Sequence, residues 1–77
     1  MEMMLTVKVG KEKQDIIIKP DQQVQEVCRC LFENGCFSLT WKEEMQVYSM
    51  RQKAYINPAL TFMQGSIYNG DILLLYM

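Results

Sequence analysis

A chain of 77 residues, 49% hydrophobic and 22% charged, is long enough for one domain and is composed like an ordinary globular one, which excludes disorder. A chain this short buries only about 60% of the surface its unfolded form exposes, leaving little room for a core and a deep substrate cleft together. The net charge of −1, with dispersed charges, excludes a basic surface for nucleic acid or an acidic membrane.

The longest apolar run, residues 72–77, is far short of the roughly 20 residues a membrane span needs, so no direct insertion is expected. The start, Met1-Glu2-Met3-Met4, lacks the basic opening and apolar stretch of a secretory leader. Three cysteines make an odd count with no disulfide framework, and a cytoplasmic chain with reduced thiols is expected.

Met4-Leu5-Thr6-Val7-Lys8-Val9 alternates, with Leu5, Val7 and Val9 on one face, and predicts a half-buried strand. Gly10-Lys11-Glu12-Lys13 suits a hairpin loop, and Asp15-Ile16-Ile17-Ile18-Lys19 is β-branched and reads as the second strand. After Pro20, Asp21 is placed to cap a helix. Val24, Val27, Cys28 and Leu31 then recur at i, i+3, i+4 and i+7, one helical stripe. Asn34-Gly35 should end that helix, because glycine tolerates the left-handed conformation of a C-cap.

Residues 36–41 read as an apolar loop or a short strand, and 42–44 as exposed charge. Residues 46–50 suggest a third strand, Arg51-Gln52-Lys53 a tight turn, and Ala54-Tyr55-Ile56 a short fourth strand that Asn57-Pro58 stops. Residues 59–64 suit a single helical turn anchored by Leu60 and Phe62. A loop over 65–70 then leads to a last strand over 71–77. The order is strand, strand, helix, strand, short strand, strand. A helical connection back into the same sheet makes that sheet mixed.

With these residues in place, the chain resembles the ubiquitin-like β-grasp family over nearly its whole length, from Leu5 to Tyr76. The resemblance rests on the opening hairpin, on Lys19-Pro20-Asp21 leading into a helix with Val24, Val27 and Leu31, and on Asn34-Gly35 closing it. Its most specific part is Ile67-Tyr68-Asn69-Gly70-Asp71-Ile72-Leu73-Leu74-Leu75, a "G-D-apolar" turn into a last strand that the resemblance places in the middle of the sheet, beside the first. It implies an α+β fold, a single domain over residues 1–77, with a mixed sheet of four to five strands packed on one helix. Within that family the chain is most similar to the YukD-like (EsaB-like) proteins of type VII secretion loci in Gram-positive bacteria. That likeness rests on length, the N-G-D-apolar ending and the lack of a tail, and implies an accessory role in secretion.

Ubiquitin and the β-grasp sulfur carriers end in an exposed Gly-Gly, thin enough to enter an activating enzyme. This chain ends Leu75-Tyr76-Met77, so conjugation through the terminus is not expected. The chain has no histidine, and Cys28 and Cys30 diverge on a helix by about 200°, so neither a metal site nor a thiol nucleophile with its base is expected. Cys28 falls on the apolar stripe and Cys30 faces out. The carboxylates, Asp71 among them, are scattered over positions read as solvent-facing, with structural duties for Asp21 at a cap and Asp71 at a turn, and the four glycines are isolated, so no enzyme and no cofactor are expected.

The aromatics exceed what one small core needs, so some apolar surface should remain exposed. If Leu5 and Val7 point to the helix, Met4 and Lys8 point away; if Ile72 and Leu74 point in, Leu73 and Leu75 point away. With the family's neighbouring first, third and last strands, Met4, Lys8, Tyr48, Leu73 and Leu75 would then form a protein-binding face. The expected function is a non-catalytic interaction module, with a membrane secretion component as a candidate partner. The alternatives are a β-grasp sulfur or acyl carrier with a degenerate terminus, and a self-associating scaffold that forms a homodimer.

Overall fold

The computed structural model describes residues 1–76. Expectations that fall on Met77, as the end of the last strand and as a carrier's carboxylate, lie outside the described residues. Strands β1 (Met3–Val9) and β2 (Glu12–Ile18) are followed by helix α1 (Val24–Glu33), then by β3 (Gln46–Ser49), β4 (Ala54–Ile56) and β5 (Ile72–Tyr76). They form one five-stranded sheet in the order β2-β1-β5-β3-β4. β1 and β5 run parallel and every other pair is antiparallel. One helix packs on one face of this mixed sheet, which is the ubiquitin-like β-grasp arrangement.

The β1–β2 hairpin is tighter than expected. Val9 pairs with Glu12 across a two-residue turn, Gly10-Lys11, rather than across a polar loop reaching Lys13. Gly10 sits at φ +59°, as the first central position of a II′-type hairpin turn requires. The core lies between α1 and the inner sheet face. Leu5, Val7, Val47, Leu73 and Leu75 from the sheet meet Val24, Cys28 and Phe32 from the helix. The helical stripe is centred on 24, 28 and 32, with Val27 and Leu31 only half-buried beside it.

Asp21 does not cap the helix; it is exposed, and Gln23 holds the N-cap position without a side-chain cap. Main-chain carbonyls replace it: the N–H of Val24 donates to Leu60 (2.9 Å) and that of Gln25 to Pro58 (2.8 Å). Within residues 57–66 the expected single helical turn does form, offset to 61–65: the N–H of Gly65 donates to the Thr61 carbonyl (2.9 Å), and Thr61 and Gln64 cap it reciprocally. Residues 57–66 wrap the helix start, with Phe62 fully buried in the core and Leu60 half-buried outside it. The helix end follows expectation. Gly35 takes φ +75°, its N–H donates to Phe32, and the N–H of Cys36 donates to Leu31, the paired bonds of a Schellman motif.

Residues 36–45 form a loop without a strand. It folds Phe37 and Trp41 against Phe32, with ring centroids 5.1 and 5.7 Å away. Glu12 pins it by accepting from the N–H and hydroxyl of Ser38.

The phase of β5 is opposite to the sequence expectation. Leu73 and Leu75 are 0% and 4% exposed and belong to the core, while Ile72 and Leu74 are half-buried on the other face. Register is the cause: Leu73 lies beside Val7 and Ser49, Leu75 beside Val47, and all of these point to the helix. A strand apolar on both faces carries no alternation of its own, and a one-residue slip exchanges its faces.

Candidate functional site: the open face of the sheet

β1 supplies Met4, Thr6 and Lys8 to the face away from the helix, β5 supplies Ile72, Leu74 and Tyr76, β3 supplies Tyr48, and β4 supplies Tyr55. Cross-strand register sets four of these side chains, Lys8, Leu74, Tyr48 and Tyr55, in one row with Lys13 of β2, one residue from each strand. Tyr55 packs edge-on against Tyr48 at 5.1 Å and against Tyr76 at 6.3 Å. The row therefore grades from two lysines, through leucine, to two tyrosines, with Tyr76 packed beside Tyr55. Met4, Ile17, Tyr55 and Tyr76 are all exposed.

Met4, Lys8 and Tyr48 stand on this face as expected. Leu73 and Leu75 do not; Ile72 and Leu74 occupy their places. Tyr55 and Tyr76 are additions that sequence reasoning missed. Tyr76 was the available signal, because an amphipathic ring closing an apolar strand prefers the wetter face, and it shares parity with 72 and 74.

One end of the face is locked by polar contacts. Asp71 is 2% exposed, not solvent-facing as the sequence suggested. Its carboxylate accepts from the Ser49 hydroxyl (2.6 Å) and from the N–H groups of Arg51 (3.1 Å) and Ile72 (2.7 Å). Asn69 accepts from the N–H of Met4 (2.7 Å), and the N–H of Gly70 donates back to Met4 (2.8 Å). The Asn69-Gly70-Asp71 turn thus ties β5 to β1 and to the β3–β4 turn at once. Arg51 donates to the Ser66 carbonyl and lies 4.4 Å above the ring of Tyr68.

Little here suits catalysis. Cys28 is buried, and desolvation pushes its thiol up to about 12, so it stays protonated at ordinary pH. Cys30 is exposed. Among the described residues no cluster of cysteines and carboxylates could hold a metal ion, and no helix is long and apolar enough to cross a membrane.

The sequence matches no known protein family and no curated protein. Solved structures are matched. A de novo designed protein based on ubiquitin is 18% identical with a TM-score of 0.74, over 97% of this chain and 87% of that one. A chain of a toluene 4-monooxygenase HD complex is 10% identical, with a TM-score of 0.71 over 97% and 96%. The EccD5 ubiquitin-like domain from Mycobacterium xenopi is 15% identical, with a TM-score of 0.61 over 99% and 93%. A chain of an ESX-5 inner membrane complex is 15% identical, with a TM-score of 0.57 over 97% of this chain but 20% of that one. Identities this low carry the fold alone, and the fold is ubiquitin-like β-grasp.

Proposed function

We propose that this domain is a non-catalytic protein-interaction module that docks a protein partner through the open face of its sheet. The observation that carries the reading is the row from Lys13 and Lys8 across Leu74 to Tyr48 and Tyr55, bordered by exposed Met4 and Tyr76. Leucine and tyrosines supply apolar area at low entropic cost, and tyrosine is enriched at binding hot spots. Two lysines stand opposite each other in β1 and β2, and the ion pair among the described residues, Arg29–Glu26, uses neither. The fitting partner presents an apolar patch with carboxylates at one flank.

The setting we propose is accessory to type VII secretion in a Gram-positive bacterium, on the cytoplasmic side, with a membrane component as partner. Support comes from the EccD5 domain and the ESX-5 chain, both similar in fold, and from the likeness to YukD-like proteins. The toluene 4-monooxygenase neighbour is the reason the fold by itself does not decide this.

The test is a crosslinked pull-down from host lysate under reducing conditions, with Leu74→Glu as control. Capture of a membrane secretion component by the unmodified chain, lost in L74E while that variant remains folded, supports the reading. Equal capture by both chains rejects the open face.

A further inference from the structure

The outer edge of β2 is the other unusual surface. β2 pairs only with β1, and among the described residues no main-chain hydrogen bond reaches its far side. Val9 and Glu12 close a two-residue turn and so form a hydrogen-bonded pair. Alternation then turns the N–H and C=O of Lys13, Asp15 and Ile17 outward. Proteins usually guard such an edge with charge, proline or a bulge. Here Lys13 and Asp15 guard the first half of the edge, but three consecutive isoleucines follow them, and Ile17 is 63% exposed. Beside the edge, a groove of about 510 Å³ runs between β2 and α1, lined by apolar Ile16, Ile18, Val27 and Leu31 and by polar Gln22 and Glu26.

We infer that two copies of this chain pair antiparallel along β2, about a two-fold axis through Ile17. The charge pattern selects this occupant. Asp15-Ile16-Ile17-Ile18-Lys19 reads acidic, three apolar, basic, so antiparallel pairing about Ile17 sets Asp15 opposite Lys19 of the second copy, twice. Ile17 then meets its own counterpart with both main-chain groups facing outward. Ile16 lies beside Ile18 of the second copy on the groove side. Other registers do worse. Pairing about Asp15 opposes two carboxylates, pairing about Ile16 opposes Lys13 and Lys19, and pairing about Gln14 leaves Ile17 against Lys11. The ladder is short, because the N–H and C=O of Lys19 already bond Gln22, so the dimer is weak and depends on the side-chain pairs. The two five-stranded sheets would join edge to edge, leaving both open faces available.

A charge exchange tests this by sedimentation equilibrium in reducing, low-salt buffer, which keeps exposed Cys30 from crosslinking. The unmodified chain is expected to dimerise as its concentration rises. D15K and K19D should each bind themselves about tenfold more weakly or worse, since each opposes like charges twice. An equimolar mixture of D15K and K19D should recover the dimer as a heterodimer, which also shows that both variants are folded. L74E should dimerise normally, separating this edge from the proposed docking face. Monomer at every concentration overturns the inference and leaves the edge for a strand of another protein. A D15K dimer as tight as the original overturns it too, as does a folded mixture that stays monomeric.

Discussion

The two faces of the sheet are built from nearly the same side chains and behave differently. β5 alternates Ile72, Leu73, Leu74 and Leu75; the odd positions vanish under the helix and the even ones border solvent. β1 repeats the contrast, with Leu5 and Val7 buried against Met4 and Lys8 on the open side. Leucine marks the core on one face and the proposed docking surface on the other, so register rather than residue type decides where it stands.

The sharpest way to break this comparison is to truncate neighbours in one strand. Leu73→Ala should cost about 2–5 kcal/mol in chemical denaturation, as for other fully buried leucines. Leu74→Ala, half-buried and beside Lys8 and Tyr48, should cost well under half of that. Equal losses would mean that the open face is packed as tightly as the core.

Next in size is the polar lock. Asp71→Ala removes three accepted hydrogen bonds and leaves the Ser49 hydroxyl buried without its acceptor. A loss of about 1–3 kcal/mol is expected, read as a lower urea midpoint. A smaller loss would make the lock incidental to holding β5 between β1 and β3.

Alkaline titration sharpens the inner face alone. The folded pKa of Cys28 is raised from 9.0 to about 12, so its contribution to stability is full below 9 and is lost as pH rises from there toward 12. Under reducing conditions, stability should fall by about 1.4 kcal/mol per pH unit in that window beyond what Cys28→Ala shows. Below pH 9 a thiol reagent should label exposed Cys30 and spare Cys28.

The smallest effect lies at the rim. Arg51→Gln removes the cation over Tyr68, and about 0.5–1 kcal/mol should be lost on thermal unfolding, with L74-dependent binding unchanged.

Much of the fold was legible because its elements carry their own signals. β1 alternates, residues 24–32 repeat with helical spacing, Gly35 ends the helix, and Gly70-Asp71 opens the last strand. What was not legible depends on contacts distant in sequence. The helix start is capped by carbonyls of Pro58 and Leu60, so the cap that Asp21 advertised is unused. Asp71 is buried because Ser49, on another strand, satisfies it. The candidate site suffered most at β5. Met4, Lys8 and Tyr48 came from strands with visible alternation, whereas the uniform run after Asp71 gave no phase until Val47 and Ser49 were set beside it.

The central position of β5 has a consequence for how the chain is made. Thr6 pairs with Ile72, and Ser49 with Leu73, so the strand that joins both halves of the sheet is the last of the five to be synthesised. Until then β1–β2 and β3–β4 are separate hairpins, each marginal in water. The nascent chain therefore has no stable partial structure to rest in. The two hairpins stay open to proteases and chaperones until β5 has been made, and the sheet closes only across it.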